Sequence, residues 1–174
     1  DGDLNMNGTG SIAGTATGTI NVTGNLNVDG TGNTIGRSTI NVTDTTIVTG
    51  TIDFNSATGA KTFIGLVSIS GGGAWTNSAN SAFTLQGGFE NNGTTFSSGS
   101  STYTFNTNDQ NISGSSSITF DGTVAITGAV TVTNYADVTL AGNLTGSVAG
   151  STWLNETNST LNVGAAILTT GTLT

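Results

Sequence analysis

The chain contains no histidine, no cysteine and no proline among its 174 residues. His and Cys are the usual ligands of zinc, haem and iron–sulfur clusters, and they form the nucleophile and base pairs of Ser-His-Asp and Cys-His enzymes. Their absence removes most catalytic chemistry. We therefore expect no enzymatic activity and no cofactor.

Charged residues are also scarce. They make up 7% of the chain, and the two cations, Arg37 and Lys61, stand against ten acids for a net charge of -8. Two cations cannot neutralise a phosphate backbone, so nucleic acid is not an expected partner. No apolar run approaches the roughly 20 residues that span a bilayer, so no membrane insertion is expected. Solubility must come from Thr, Ser, Asn and Gly, a composition that favours an extracellular or cell-surface location.

What the sequence does contain is short alternation of apolar and polar residues. The pentapeptide TINVT occurs at Thr19–Thr23 and again at Thr39–Thr43, so its two copies are 20 apart in the numbering. Alternation with a period of two predicts strands, and the Gly- and Asn-rich segments between them predict turns. The side chains predicted to form the core are Ile20, Val22, Ile40, Val42, Trp75, Phe83, Leu85, Tyr103, Phe105, Trp153, Leu161 and Val163.

Strands with only two inward residues each suit a solenoid, in which every backbone group pairs with the turn above or below. We predict an all-β, parallel β-solenoid (β-helix) without helices, formed by residues 1–174 as a single domain. The predicted coil has about 20 residues and repeats roughly eight or nine times. Residues 20 apart should then stack, as Phe83 on Tyr103 and Leu85 on Phe105.

A longer similarity links residues 75–85 to residues 153–163, at an offset of 78. It predicts one full unit at 75–152, with partial or diverged units at 1–74 and 153–174. Trp75 and Trp153 occupy matching positions, which favours packing in the core.

The two ends lack the features that cap a solenoid. Neither 1–10 nor 167–174 contains a predicted helix, a cluster of charges or a proline, which would blunt an exposed strand edge. We expect each end to continue, either into more of the same polypeptide or into another copy of the chain stacked end to end.

Residues 87–114, GGFENNGTTFSSGSSTYTFNTNDQNISG, and residues 158–164, NSTLNVG, resemble repeats of large secreted bacterial surface proteins. The chain is similar in these segments to filamentous-haemagglutinin-type and autotransporter-type adhesins. The resemblance implies a right-handed parallel β-helix that forms a shaft at the cell surface.

Oxygen-bearing side chains alternate at Asp1, Asp3 and Asn5, as they do in calcium loops. An EF-hand loop would need Gly and Glu where Met6 and Ile12 stand. The same alternation also arises from outward-facing residues of a strand, so these residues are candidate calcium ligands with a structural alternative.

The remaining acids are scattered singly, without the paired carboxylates of acid–base catalysis. They are Asp29, Asp44, Asp53, Glu90, Asp109, Asp121, Asp137 and Glu156.

Lys61 is a candidate for an isopeptide bond with an asparagine, and an ordinary exposed turn lysine is the alternative.

Eight N-glycosylation sequons begin at Asn7, Asn21, Asn41, Asn92, Asn111, Asn143, Asn155 and Asn158. The candidates for modification are Asn21, Asn41, Asn92 and Asn143. Stacked Asn21 and Asn41 could instead form an amide ladder.

Two further surface hypotheses follow from residue type. Outward threonines such as Thr131 and Thr133 suit a flat ice-binding face, but no uninterrupted Thr-x-Thr column appears at 20-residue spacing. The aromatic residues could form a sugar-stacking strip or fill the core, and the second interpretation is favoured.

The sequence as a whole favours a structural role, as a subunit or shaft segment of an extracellular fibre or cell-surface filament. The alternative is a glycan- or surface-binding adhesin module that uses an outward face or a loop at Gly71–Asn80. A polysaccharide-active enzyme on the same fold comes third, because it would need clustered acids.

Overall fold

The computed structural model describes residues 2–13, 18–36, 39–164 and 172–174. These residues form strands and turns without any helix, and the strands stack as a parallel β-solenoid of about seven turns with about 21 residues each. The predicted fold class is confirmed. The turns number about seven, against the eight or nine expected, and most of them are longer than the 20 residues that separate the two TINVT copies.

Twenty-four short strands are found in the described residues. The first eight are β1 (Leu4–Met6), β2 (Ser11–Ile12), β3 (Thr19–Val22), β4 (Leu26–Val28), β5 (Asn33–Ile35), β6 (Thr39–Val42), β7 (Thr46–Val48) and β8 (Thr51–Phe54). The next eight are β9 (Lys61–Phe63), β10 (Val67–Ile69), β11 (Ala74–Thr76), β12 (Phe83–Leu85), β13 (Phe89–Asn91), β14 (Thr95–Ser97), β15 (Tyr103–Phe105) and β16 (Gln110–Ser113). The last eight are β17 (Ile118–Phe120), β18 (Val124–Ile126), β19 (Thr131–Asn134), β20 (Asp137–Leu140), β21 (Leu144–Gly146), β22 (Thr152–Asn155), β23 (Thr160–Val163) and β24 (Thr172–Leu173).

The strands form three sides of a prism, because the chain visits three sheets in turn and nearly every strand pairs with the strand three places later. Sheet A contains β1, β4, β7, β10, β13, β16, β19, β22 and β24. Sheet B contains β2, β5, β8, β11 and β14, and sheet C contains β3, β6, β9, β12, β15, β18 and β21. Sheet D, with β17, β20 and β23, takes the place of sheet B in the later turns. All strand pairs are parallel.

Alternation along each strand sends one set of side chains inward, where they stack on the same positions of the next turn; we call such a stacked set a column. Ile20 stacks on Ile40, and Val22 stacks on Val42. Phe83 stacks on Tyr103, as the 20-residue spacing predicts. The step between stacked residues is not constant, because the turns between strands differ in length. In the numbering this step is 20 from Phe83 to Tyr103 but 23 from Phe89 to Ile112.

Nine of the residues expected in the core are buried: Val22, Ile40, Val42, Trp75, Phe83, Leu85, Tyr103, Phe105 and Trp153. Ile20 and Leu161 are half-buried and pack against the core. The prediction of Val163 as a core residue is wrong, because 41% of its surface is exposed. It lies on β23, which pairs with β20 and has no strand on its other edge within the described residues.

The segments related by the offset of 78 lie on different sides of the prism. Trp75 is on β11 in sheet B, whereas Trp153 is on β22 in sheet A. Phe83 is on β12 in sheet C, and its counterpart Leu161 is on β23 in sheet D. The offset corresponds to eleven strands, which are three turns and two further sides.

Aromatic rings fill the middle turns of the core. Phe54 contacts Trp75 at a centroid distance of 4.5 Å, and Phe83 stacks on Tyr103 at 4.9 Å. The Tyr103 hydroxyl donates to the Ser98 carbonyl at 3.2 Å, and burial raises the pKa of this phenol far above its usual value. The alternative of a sugar-stacking strip is therefore wrong for these residues, because their rings face inward.

Buried amide side chains stabilise the corners between sheets by hydrogen bonds to the backbone. Asn77 donates from Nδ2 to the carbonyls of Ser81 and Ser98 at 2.9 and 2.7 Å, and its Oδ1 accepts from the Ser81 N–H at 2.7 Å. Gln110 donates in the same way to the carbonyls of Leu85 and Asn106. These bonds pair the buried amides with backbone carbonyls of their own and neighbouring turns.

Candidate functional site

The three sides of the prism differ in charge. Glu90 lies on sheet A, Asp53 on sheet B and Asp137 on sheet D. The seven strands of sheet C contain one charged residue, Lys61, and its side chain points inward. The outer face of sheet C is therefore uncharged along all of its strands.

The central outward column of sheet C is built mainly of threonine. It is set by the register of the seven strands and consists of Asn21, Asn41, Thr62, Thr84, Thr104, Ala125 and Thr145. Further threonines flank it, two positions before Thr104 and on either side of Ala125. These are Thr102, Thr123 and Thr127. We call this outer surface of sheet C, with its central column and flanking positions, the threonine face.

At the start of the threonine face the amides of Asn21 and Asn41 form a ladder, with Asn41 Nδ2 donating to Asn21 Oδ1 at 2.8 Å. The hydroxyls of Thr62, Thr84 and Thr104 have no hydrogen bond to another described residue. They are half-exposed, so their hydrogen-bonding capacity is directed to solvent.

Several outward polar side chains on sheets A and B instead bond to one another. On sheet A, Ser68 donates to Glu90 Oε2 at 2.8 Å. On sheet B, Thr34 donates to Ser11 at 2.9 Å. Ser78, which follows β11, donates to Asp53 Oδ2 at 2.8 Å. The threonine face thus differs from sheets A and B in both charge and internal bonding, and from sheet D in charge, because Asp137 lies on β20.

The candidate calcium ligands are engaged in bonds between turns. Asp3 Oδ1 accepts from the Asn25 N–H at 2.8 Å, and Asn5 Oδ1 accepts from Asn27 Nδ2 at 2.8 Å. Asp1 lies outside the described residues. No group of three or more His, Cys, Asp or Glu side chains comes together in the part of the chain that the structure describes. The geometry thus matches the structural alternative of outward-facing strand residues.

The four glycosylation candidates lie on the surface in different environments. Asn21 and Asn143 are exposed, whereas Asn41 and Asn92 are half-buried. The Asn41 nitrogen, which would carry a glycan, is the donor of the amide ladder. Asn92 Oδ1 accepts from the N–H and hydroxyl of Ser115 at 2.9 and 3.0 Å.

Lys61 is not an exposed turn lysine, and that interpretation is wrong. It lies in β9, stacked between Ile40 and Phe83, and 1% of its surface is exposed. Its Nζ reaches the corner before the strand and donates to the carbonyls of Thr58 and Gly59 at 3.0 and 2.8 Å. Burial lowers the pKa of this ammonium group.

The segment Gly71–Asn80 is not a continuous loop, because it contains β11 and the buried Trp75. A shallow depression on the outside of sheet B is lined by Thr34, Asp53 and Thr76, and Asp53 is the acid among its lining residues.

Within the described residues no helix is long and apolar enough to cross a membrane.

The ends of the solenoid present strand edges. In sheet C, β3 pairs only with β6 and β21 pairs only with β18 in the described part of the chain. Thr39 and Thr43 donate to the carbonyls of Gly18 and Val22. Because a parallel ladder uses alternate residues of a strand, the N–H groups of Thr19 and Asn21 face the open edge.

Comparisons of the chain with models of protein families, with curated proteins and with solved structures give no match.

Proposed function

We propose that this chain is a shaft segment of an extracellular fibre or cell-surface filament, joined to its neighbours by end-to-end β-stacking. The observation that supports this role is the run of parallel strands along every side, with an apolar core that continues from turn to turn. About seven turns at the strand spacing give a rod on the order of 34 Å long.

The mechanism is mechanical. Each turn bonds to the next through backbone ladders and stacked side chains, so that bending or stretching the rod must break many hydrogen bonds together. The polar exterior, with few charges and few exposed apolar residues, limits sideways association. At the ends, open edges such as that of β3 offer the same ladder to another segment.

The test is electron microscopy of the concentrated protein together with a variant in the open edge. Thr19→Pro removes an N–H that faces the edge, and proline is tolerated on an edge strand. We expect the unaltered chain to form unbranched filaments and Thr19→Pro to remain as single rods with a similar melting temperature.

Thr19→Val is the matched control, because it keeps the N–H and the β-branched shape and should still form filaments. Single rods for all three proteins would overturn stacking between separate chains. Specific glycan binding by single rods would favour the adhesin alternative over a purely structural role.

A further inference from the structure

We propose that the threonine face binds ice. This activity is separate from the role as a shaft and rests on three properties of sheet C: the regular spacing of its hydroxyls, their lack of internal partners and the absence of charge.

The spacing follows from the fold. Thr62, Thr84 and Thr104 stack on successive strands of the central column. Neighbouring strands lie about 4.8 Å apart, and alternate residues along a strand lie about 6.7 Å apart. Thr102 lies two residues before Thr104 on the same side, and Thr123 stands beside it in the next turn, so these two hydroxyls begin a second row next to the central column. Both spacings are close to oxygen repeats in the lattice of hexagonal ice.

The hydroxyls are available to order water. Since Thr84 and Thr104 make no side-chain bond to another described residue, each can donate to one water and accept from others. Their methyl groups stand beside the hydroxyls and restrict where those waters can sit. Threonine is stiff at χ1, so that the array stays in place without a further loss of side-chain entropy.

The absence of charge on the threonine face favours ice over charged partners. Charged groups hold their own hydration shells, which do not fit a lattice of neutral water molecules. Acids are found on sheets A, B and D, and the threonine face has none on its strands. A face whose described strands present no outward charge is complementary to ice and not to an anionic membrane or a nucleic acid.

A crystalline sugar surface is a poorer match, because sugar binding uses exposed aromatic rings. The aromatic residues on the strands of sheet C, such as Phe83 and Tyr103, point inward and are buried. The exposed Tyr135 follows β19, a strand of sheet A.

The test measures how much protein enters slowly grown polycrystalline ice, by tryptophan fluorescence of the melted ice and of the remaining liquid. The protein is produced without glycosylation and used at a dilution at which light scattering finds single rods and no filaments. The disrupting variant is Thr84→Tyr with Thr104→Tyr, which places two large side chains on the threonine face. The matched control is Thr119→Tyr with Thr139→Tyr, because these threonines stack in the same way on the outside of sheet D.

We expect the unaltered chain and the sheet D control to be enriched in ice, and the sheet C variant to be enriched at least tenfold less. A second variant, Thr84→Lys with Thr104→Lys, should lose enrichment equally and keeps the test valid if the tyrosine variant does not fold. Thermal unfolding establishes which variants are folded.

Exclusion of the unaltered chain from ice would overturn the proposal, as would equal enrichment of the sheet C and sheet D variants. Light scattering gives a further outcome. If the unaltered chain is dimeric and only the sheet C variants are monomeric, a second copy covers the face and the proposal is wrong. Filament formation is measured separately, so its failure does not affect this test.

Discussion

Thr46 places a buried hydroxyl between two aliphatic side chains in an inward column of sheet A. It stacks between Leu26 and Val67, and its buried Oγ1 has no hydrogen-bond partner among the described residues. Valine has nearly the same shape without the polar group. We expect Thr46→Val to raise the free energy of unfolding by about 1 kcal/mol, because the buried hydroxyl is no longer left unsatisfied.

Urea denaturation of the two proteins measures this difference. Thr43→Val is the control, since Thr43 is exposed and its replacement should change stability by less than about 0.5 kcal/mol. A loss of stability in Thr46→Val would show that the hydroxyl is satisfied in solution.

Gly50 is required by the close approach of successive turns at the corner between sheets A and B. A Cβ atom at this position would collide with the backbone of Asp29 and Gly30 in the preceding turn. We expect Gly50→Ala to lower the free energy of unfolding by about 2 kcal/mol, because the backbone has to move apart.

Gly71→Ala is the matched control, because Gly71 lies at the same corner between sheets A and B, one turn later. A Cβ there would have no heavy atom within 4 Å, and its φ is not in the left-handed region. We expect this variant to be neutral or slightly stabilised, because alanine restricts the unfolded chain. Equal losses in both variants, measured by thermal unfolding, would contradict the steric explanation.

Lys61 makes stability depend on pH in the alkaline range. Its pKa is lowered in the folded protein, whereas in the unfolded chain it is about 10.4. Between these two values the unfolded chain holds a proton that the folded chain has released, so the contribution of Lys61 to stability rises with pH.

Lys61→Met keeps an unbranched side chain and removes this titration. We expect the unfolding free energy of the unaltered chain to rise relative to that of Lys61→Met as the pH is raised toward about 10.4. Urea denaturation of both proteins across this range measures it. The ionisation of Tyr103 is common to both and cancels. A difference that does not change with pH would contradict the lowered pKa.

The position of Lys61 also shows where residue-level prediction fails. Charge favours the surface, and an exposed turn lysine was therefore the alternative interpretation. The two carbonyls that receive its ammonium group become visible only when the corner is built. A long aliphatic stem lets the residue take an inward position in the column while its charged end leaves the apolar core.

At the scale of the strand, Val42 tests the register of sheet C. It is fully buried and stacks between Val22 and Phe63. We expect Val42→Asp to lower the free energy of unfolding by more than about 3 kcal/mol, because it buries a charge without a partner.

Thr43→Asp is the control, since the next residue along the chain is exposed and should tolerate the carboxylate. Circular dichroism with thermal unfolding distinguishes the two. A similar melting temperature for both variants would mean that Val42 does not face the core.

The strands and most of their inward residues could be predicted, because alternation is a local property of the chain. Phe83 and Tyr103 could also be paired, since that turn has the length that the TINVT copies indicate. The threonine face could not be found in this way. The step in the numbering is 22 from Thr62 to Thr84 and 20 from Thr84 to Thr104, so a constant period of 20 places Thr62 in a different column from the other two.

The signal for the threonine face was nevertheless present. Thr84 and Thr104 are the middle residues of the apolar doublets Phe83–Leu85 and Tyr103–Phe105, which places them on the outside. Aligning doublets with one another, and allowing turn length to vary, would have shown the column. Turn length depends on corner contacts such as those of Asn77, which alternation does not report.

At the scale of the whole molecule, one complete turn is the segment whose deletion leaves the remaining strands in their sheets. Phe83 takes the place of Lys61 one turn later, so deletion of residues 62–83 joins Lys61 to Thr84 at an equivalent position. We expect the shortened chain to keep its β-sheet content and cooperative unfolding, because every remaining turn still has a neighbour.

Deletion of residues 62–72 is the control, because it removes about half a turn and shifts the following strands away from their sheets. That protein should fail to fold, as judged by circular dichroism and protease resistance. Two equally folded deletions would mean that neighbouring turns need no fixed register.

The similarity between residues 75–85 and 153–163 bears on how such a molecule can grow during evolution. Its two copies are eleven strands apart, so a gene duplication of this length turns the copied surface onto another side of the prism. Trp75 and Trp153 both remain buried, since every side uses the same alternation. Outward residues, in contrast, acquire new neighbours. Duplication by whole turns would extend one surface unchanged, whereas duplication by a partial turn distributes an old surface around the rod.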